Sequence, residues 1–322
     1  MSSTVYDWGS MPEPTEPVLP RAVALAWGVA ANPQRGPKRE MSIERIVDVA
    51  VELADAGGLS AVSMSSVASA LGFTPMSLYR YVTAKDDLLV LMQERGIGVP
   101  PESIHEVEGG WRPGLRAWAT ETLRLYEEHP WLLDIPIEGA PQTPNNLAWL
   151  DSALQLLDGQ PLDFEDKTSI VLAIMAQIRW QGTVIRSYAD VAKQAGTTPD
   201  ALDLAGSAML EEFVTPEQFP FVYQAVQEGV FSPVGGGDPF AFGLERVLDG
   251  IEAFLTTAPS RPAKPTAAPD PIEAVAVRDQ KYKEAVRSRR EAEKGLREAR
   301  KRERERLREA RDKAREARDR ER

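Results

Sequence analysis

The stretch SMSSVASALGFTPMSLYRYV, residues 63–82, restricts the fold more than any other part of the chain. Ser63 stands where a helix N-cap belongs. Met64, Val67, Ala68 and Leu71 then recur at the helical period, and Gly72 stops the run. Thr74 and Pro75 start a second helix, because a proline at the first helical position gives up an N–H that would go unpaired anyway. Two short helices joined by a turn containing glycine predict a helix-turn-helix. The second of them brings Met76, Tyr79 and Tyr81 into about two turns, with Arg80 among them and Lys85 just beyond. That is more large side chain than so short an element buries on one side. An exposed, partly basic face predicts contact with duplex DNA, whose major groove admits a helix.

The flanks repeat the helical signal. SIERIVDVAVELADAGG opens on Ser42 as a cap, places apolar residues at 43, 46, 47, 50, 53 and 54, and ends at Gly57 and Gly58. Thr83 with Asp86 three residues on has the spacing of a capping box, ahead of Leu88, Leu89, Leu91 and Met92. Further helices are predicted at 112–128, 145–157, 164–193, 199–212, 217–229 and 238–256, separated by Pro, Gly and Asp/Asn clusters and without strand alternation. The expected fold class is all-α. Residues 1–40 form a disordered N-terminus, with one short helix at 21–30 and a basic arm at 32–40. Residues 41–96 form the DNA-binding domain and 110–257 a helical body. Residues 258–322 are a Pro/Ala linker followed by a charged helical tail.

Charge bears on partners only once it is located. The whole chain carries −11, yet residues 271–322 hold 20 Lys and Arg against 13 Asp and Glu, a local +7. The other 270 residues hold 18 against 36, a local −18. An acidic body with gathered basic patches remains compatible with DNA. There is no cysteine, so disulfides and thiolate metal sites are excluded. His105 and His129 are the only histidines, too few for histidine metal sites or triads, and both are expected at the surface. The run AVALAWGVA (22–30) is too short to span a bilayer and is preceded by Asp7, Glu13 and Glu16, so the expected location is cytoplasmic. VGGGDP (234–239) follows no strand and precedes no lysine, which makes it a loop rather than a phosphate cradle. With no nucleophile elbow, metal spacing or paired carboxylate site, neither an enzyme nor a cofactor is expected.

The segment LSAVSMSSVASALGFTPMSLYRYVTAKDDLLVLM (59–92) resembles the DNA-binding domain of the TetR family of bacterial transcriptional repressors. ALAWG with RGPK (24–38) resembles an N-terminal extension of actinobacterial members. The DNA-binding candidates are Arg35 and Lys38 in the arm, Ser63 and Ser65, then Thr74, Pro75, Met76, Ser77, Tyr79, Arg80, Tyr81 and Lys85. Pro75, Met76 and the Tyr79 ring offer apolar contact to thymine methyls, whereas none of these residues is a bidentate Arg, Asn or Gln. The resemblance implies phosphate contacts for Tyr81 and Lys85, and a thymine or phosphate contact for Tyr79. Relatives often hold an Arg at the position of Ser65, so guanine readout there is absent. Arg35, Lys38 or Arg39 could reach an adjacent minor groove.

For the body, the resemblance implies a ligand-binding and dimerisation domain, with the helices at 164–193 and 238–256 as the dimer bundle. Ile170, Ile174, Ile178 and Ile185 line one face of the long helix. Beside them, Gln177 and Gln181 with Trp118, Trp149 and Trp180 are the candidates for a mostly apolar effector. A homodimer on a pseudo-palindromic operator, released by a small molecule, follows from the resemblance. The alternative is an architectural DNA binder whose basic tail supplies most of the affinity. Apolar residues in the tail are too sparse for a good coiled-coil seam: a heptad track from Tyr282 meets Val286, Leu296 and Leu307 but also Arg289 and Glu293.

Overall fold

A computed structural model describes residues 19–29, 41–137, 139, 142–232, 238–257 and 278–289, with isolated positions between 291 and 313. Among the described residues there is no strand. Among the described residues up to 257, eleven α-helices follow in order: α1 Arg21–Ala26, α2 Ile43–Gly57, α3 Met64–Leu71, α4 Pro75–Leu78, α5 Lys85–Ile97, α6 Trp111–Glu128, α7 Pro144–Leu156, α8 Phe164–Gln194, α9 Pro199–Phe213, α10 Pro220–Gln227 and α11 Pro239–Thr257. The all-α reading holds. The body helices begin and end within a few residues of where periodicity places them. Short 3-10 turns at Leu59–Ala61, Glu102–Ile104 and Pro130–Asp134 carry no periodic signal and were not expected. The tail reading falls largely outside the described residues; residues 280–289 are helical and solvent-exposed almost throughout.

The caps explain where the head helices start. Ser42 Oγ accepts from Arg45 N at 3.2 Å. Ser63 and Ser66 satisfy each other, Ser66 N donating to Ser63 Oγ at 3.0 Å and Ser63 N to Ser66 Oγ at 2.8 Å. Gly72 closes α3 at φ +76°, the left-handed conformation that glycine adopts without strain, and Phe73 N then reaches Ala68 O at 2.9 Å. One cap differs from expectation. The N-cap of α5 is Ala84, whose side chain cannot cap, and the Thr83 hydroxyl bonds to Asp87 rather than Asp86. The helix starts two residues after Thr83, which puts Asp87 one turn away.

The chain divides into two compact units. The first comprises Met1–Gly98, Thr122–Asp151 and Ile178–Gly236. Its core gathers Ile46 and Ala50 of α2, Val67 and Ala68 of α3, Leu78, Val82, Leu88 and Met92, and is joined by Ala22 of α1 and by Trp131 and Leu132. Full burial of a Leu or Ile side chain contributes roughly 1.5–3 kcal/mol, so this cluster is what holds the head helices together. Gly96 makes room for an aromatic ring: a Cβ there would stand 2.9 Å from Trp131 Cη2. By contrast α9 has no buried residue, and α10 buries only Val226.

The second unit comprises Val99–Glu121, Ser152–Gln177 and Gly237–Arg322. Ile104, Leu115, Trp118, Leu157, Ile174 and Leu248 are its buried side chains of greatest size. An ion cluster joins α6 to α11. Arg112 bonds Glu245 at 2.8 Å, Asp249 at 2.5 Å and Glu252 at 2.7 Å, while Arg116 Nε meets Glu245 at 2.6 Å. Those two guanidinium groups hold the Glu245 carboxyl down from 4.5 to about 2, and Arg112 lowers Asp249 likewise.

Candidate nucleic-acid interface

The edge built by α3, α4 and the start of α5 is fixed from behind by the head core. Leu78 is fully buried and seats α4. On the opposite side Met76 is 74% exposed and Tyr79 43% exposed, with Thr74, Pro75 and Arg80 also in solvent and Ser77 half-buried. Thr74 Oγ1 and Ser77 Oγ lie 3.0 Å apart, which orders the first turn. Ser63 and Ser65 are exposed on α3, the hydroxyl of Ser63 being engaged in the cap. Lys85 is exposed as the first residue of α5, where no side chain caps the helix. Uncapped N–H groups and an ammonium at one point favour an oxyanion.

Tyr81 corrects the expectation of exposed aromatic residues. It is only 7% exposed and belongs to the head core. The reason is local. Only one turn, Pro75–Leu78, is α-helical, and Tyr81 N then turns back to Leu78 O at 2.8 Å, as does Val82 N at 3.0 Å. Residues 79–81 leave the helical path, so the exposed period does not extend to Tyr81. Arg35, Lys38 and Arg39 lie outside the described residues.

The effector candidates differ in burial. Trp118 is fully buried, and Trp149 is buried with its Nε1 donating to Gly98 O at 3.0 Å. Gln177 is half-buried and packs its amide against Gly243, while Gln181 is half-buried one turn further on. Trp180 is 62% exposed. None of the five lines the open apolar groove of about 320 Å³ on α8 and α11, which Ile170, Ala173, Val247, Gly250, Ile251 and Phe254 shape. Among the described residues no group of three His, Asp or Glu gathers as for a metal. None of the described helices is long and apolar enough to cross a membrane.

Sequence reading missed the ties behind this edge. Asp55 at the end of α2 accepts from Trp131 Nε1 at 2.7 Å and lies 2.7 Å from His129 Nδ1. His129 is therefore half-buried in a contact, not a bare surface residue; His105, also paired, meets Ser152 Oγ at 3.0 Å. On α5, burial pushes the Glu94 carboxyl up, against hydrogen bonds from Thr143 and Asn145. The His129-Pro130-Trp131 helix stop was a visible signal, but its partner lies 74 residues away.

Two family models and several known proteins match this chain. Residues 46–92 match the family model for bacterial regulatory proteins of the tetR family, and residues 105–255 match the tetracyclin repressor-like C-terminal domain. The HTH-type transcriptional repressor DrrR1 of Streptomyces coeruleorubidus is 35% identical over 242 residues, 74% of this chain and 87% of the relative. The HTH-type transcriptional repressor Rv1353c of Mycobacterium tuberculosis is 26% identical over 223 residues, 67% of this chain and 82% of the relative. Apo ActR from Streptomyces coelicolor superposes with a TM-score of 0.56 at 23% identity, covering 69% of this chain and all of that one. The same protein in complex with actinorhodin gives 0.56 at 24% identity, covering 68% and 99%. At these identities the structural likeness is one of fold. The helix-turn-helix, the two family models and the similarity to DrrR1 over most of both chains lead to one conclusion: this chain belongs to the TetR family of bacterial transcriptional regulators.

Proposed function

We propose that the chain is a homodimeric, ligand-responsive repressor that binds a pseudo-palindromic operator and is non-enzymatic. The observation that carries this reading is the exposed Met76 and Tyr79 edge, held rigidly by buried Leu78 and flanked by Lys85 at an uncapped helix start. Thr74, Pro75, Met76, Ser77 and Tyr79 face base edges, mainly thymine methyls. Arg80 and Lys85 hold phosphates, and Tyr81 can add only its phenolic oxygen from a buried ring. Two such heads reach successive major grooves about 34 Å apart. The name of DrrR1 as a repressor supports the direction of control.

The dimer is read onto α8 and α11. Small residues, Ala173 and Gly250, sit in their apolar groove and let a further helix approach closely. The effector is read as small and mostly apolar; ActR, of the same fold, is solved in complex with actinorhodin. Such an effector releases DNA only by preferring the conformation that fits the operator poorly.

Selection of duplexes from a random pool, followed by gel-shift titration, tests the reading. Lys85→Ala should weaken binding to all sequences alike, whereas Met76→Ala should cut the preference for the selected site about tenfold. If Met76→Ala, Tyr79→Ala and Lys85→Ala combined leave the isotherm unchanged, the head is not the DNA face.

A further inference from the structure

The N-terminal extension and the end of α5 converge on one short stretch just before α7. Ala22 and Val23 of α1 are buried, and α1 packs along α5. From the end of α1, Trp27 Nε1 donates to Gln142 O at 2.8 Å. From α5, Glu94 receives Asn145 N on both carboxylate oxygens at 3.0 Å, and Asn145 Nδ2 donates back to Glu94 O at 2.8 Å. Trp149 Nε1 donates to Gly98 O at 3.0 Å, one turn further along α7. Thr143 is buried between them, and its hydroxyl accepts from Asn146 Nδ2 at 2.8 Å. Helix α7 starts at Pro144, and the N–H of the next residue, Asn145, which has no acceptor within the helix, is held by the Glu94 carboxylate.

The bonds form a closed triangle. Helix α1 lies on α5, α5 caps α7, and Trp27 ties the end of α1 to Gln142, two residues before α7. Each side limits rotation about the other two. The helix-turn-helix ends directly in α5, so anything that fixes α5 fixes the reading edge as well. We infer that Trp27 and Glu94 are positioning residues for DNA recognition: they brace the head against the start of α7 and so set the spacing at which two heads meet an operator. This inference rests on the proposed dimeric operator reading. It assigns the brace, rather than the head core, to spacing selectivity.

The chemistry of the brace sets the choice of variants. Trp27 is 47% exposed, so Trp27→Phe removes one donor and leaves the head core intact. Glu94→Ala removes the cap of α7, while Glu94→Gln keeps an oxygen that can accept from Asn145 N. If a loosened head holds its DNA-compatible orientation only about 40% of the time, two heads together lose about sixfold in operator affinity, whereas one head on one half-site loses about 2.5-fold.

The test uses the full chain and the selected operator, with the half-sites moved apart or together by one and two base pairs. Wild type should prefer one spacing sharply. Trp27→Phe and Glu94→Ala should bind the best spacing about sixfold more weakly and the altered spacings with little further loss, so the profile flattens, and Glu94→Gln should restore it. Amide exchange should rise at residues 142–147 in Trp27→Phe and stay unchanged in α2 and α3. An unchanged spacing profile in both variants overturns the brace. So does a parallel loss on single half-sites and on all spacings, which marks plain destabilisation. Raised exchange at 142–147 with a sharp profile also overturns it, since the contact then exists without setting the spacing. A wild-type protein that selects only single half-sites sinks the dimeric reading instead, and the inference with it.

Discussion

Tyr81 and Tyr79 stand two positions apart, and the fold gives them opposite tasks. Tyr79 keeps its ring partly in solvent; Tyr81 lends its ring to the core that Leu78 and Val82 share. Truncation therefore gives misleading results at Tyr81. Tyr81→Ala should cost about 3 kcal/mol of stability through the cavity it leaves, and its loss of DNA binding would report unfolding. Tyr81→Phe keeps the ring and removes only the phenolic oxygen. If that oxygen holds a phosphate, Tyr81→Phe should melt like wild type but bind operator and random duplex several-fold more weakly, with the shallower salt dependence of one lost phosphate contact. Calorimetry beside gel-shift titration at two salt concentrations separates the outcomes. Equal affinities at both salts would make Tyr81 purely a core residue.

Between elements, the Arg112 and Arg116 cluster on α6 and α11 gives the protein a defined acid response. The folded Glu245 carboxyl titrates near 2 against 4.5 without its partners, so the pair stabilises fully above about pH 4.5. Its contribution drains away as the pH falls from there towards 2. Glu245→Gln should melt about 3 °C lower at pH 7 and show a flatter decline between pH 4.5 and 2; thermal melts across that range measure both, and an unaltered acid limb would show that the cluster contributes nothing to stability. Elements were what the sequence displayed best. Periodicity with Pro, Gly and Ser punctuation located α2, α3 and the body helices, because those signals act within one helical turn. The end of α4 was lost because tertiary packing, not propensity, turns the chain back at Tyr81. The Asp55 to Trp131 and Trp27 to Gln142 bonds were invisible for a different reason: they join residues 76 and 115 positions apart, and no local pattern encodes such partners. The exposed face of Met76 was legible because too much apolar surface crowded too short a helix. The burial of Trp118 and Trp149 was not, since an isoleucine-lined helix face looks alike in a core and in a pocket.

For the whole molecule, charge separation is the feature that outlasts the fold. The first 270 residues carry −18 and the last 52 carry +7. Removing residues 258–322 should leave a body that folds and keeps its operator preference. Affinity for random duplex should fall, with a weaker dependence on salt, if the tail holds neighbouring phosphates. Paired isotherms on operator and random DNA decide it, and unchanged curves would leave the tail no part in DNA binding. Helix α9 has a further consequence. A 15-residue helix that buries none of its own residues, and carries Leu204, Met209 and Phe213 outward, borrows little stability from its own chain. It belongs to the part of the molecule that opens first, so in a lone, newly made chain it is where proteases and aggregation find their entry. If a second copy of the chain covers that helix, resistance to proteolysis should rise with protein concentration, which limited digestion across a dilution series would measure.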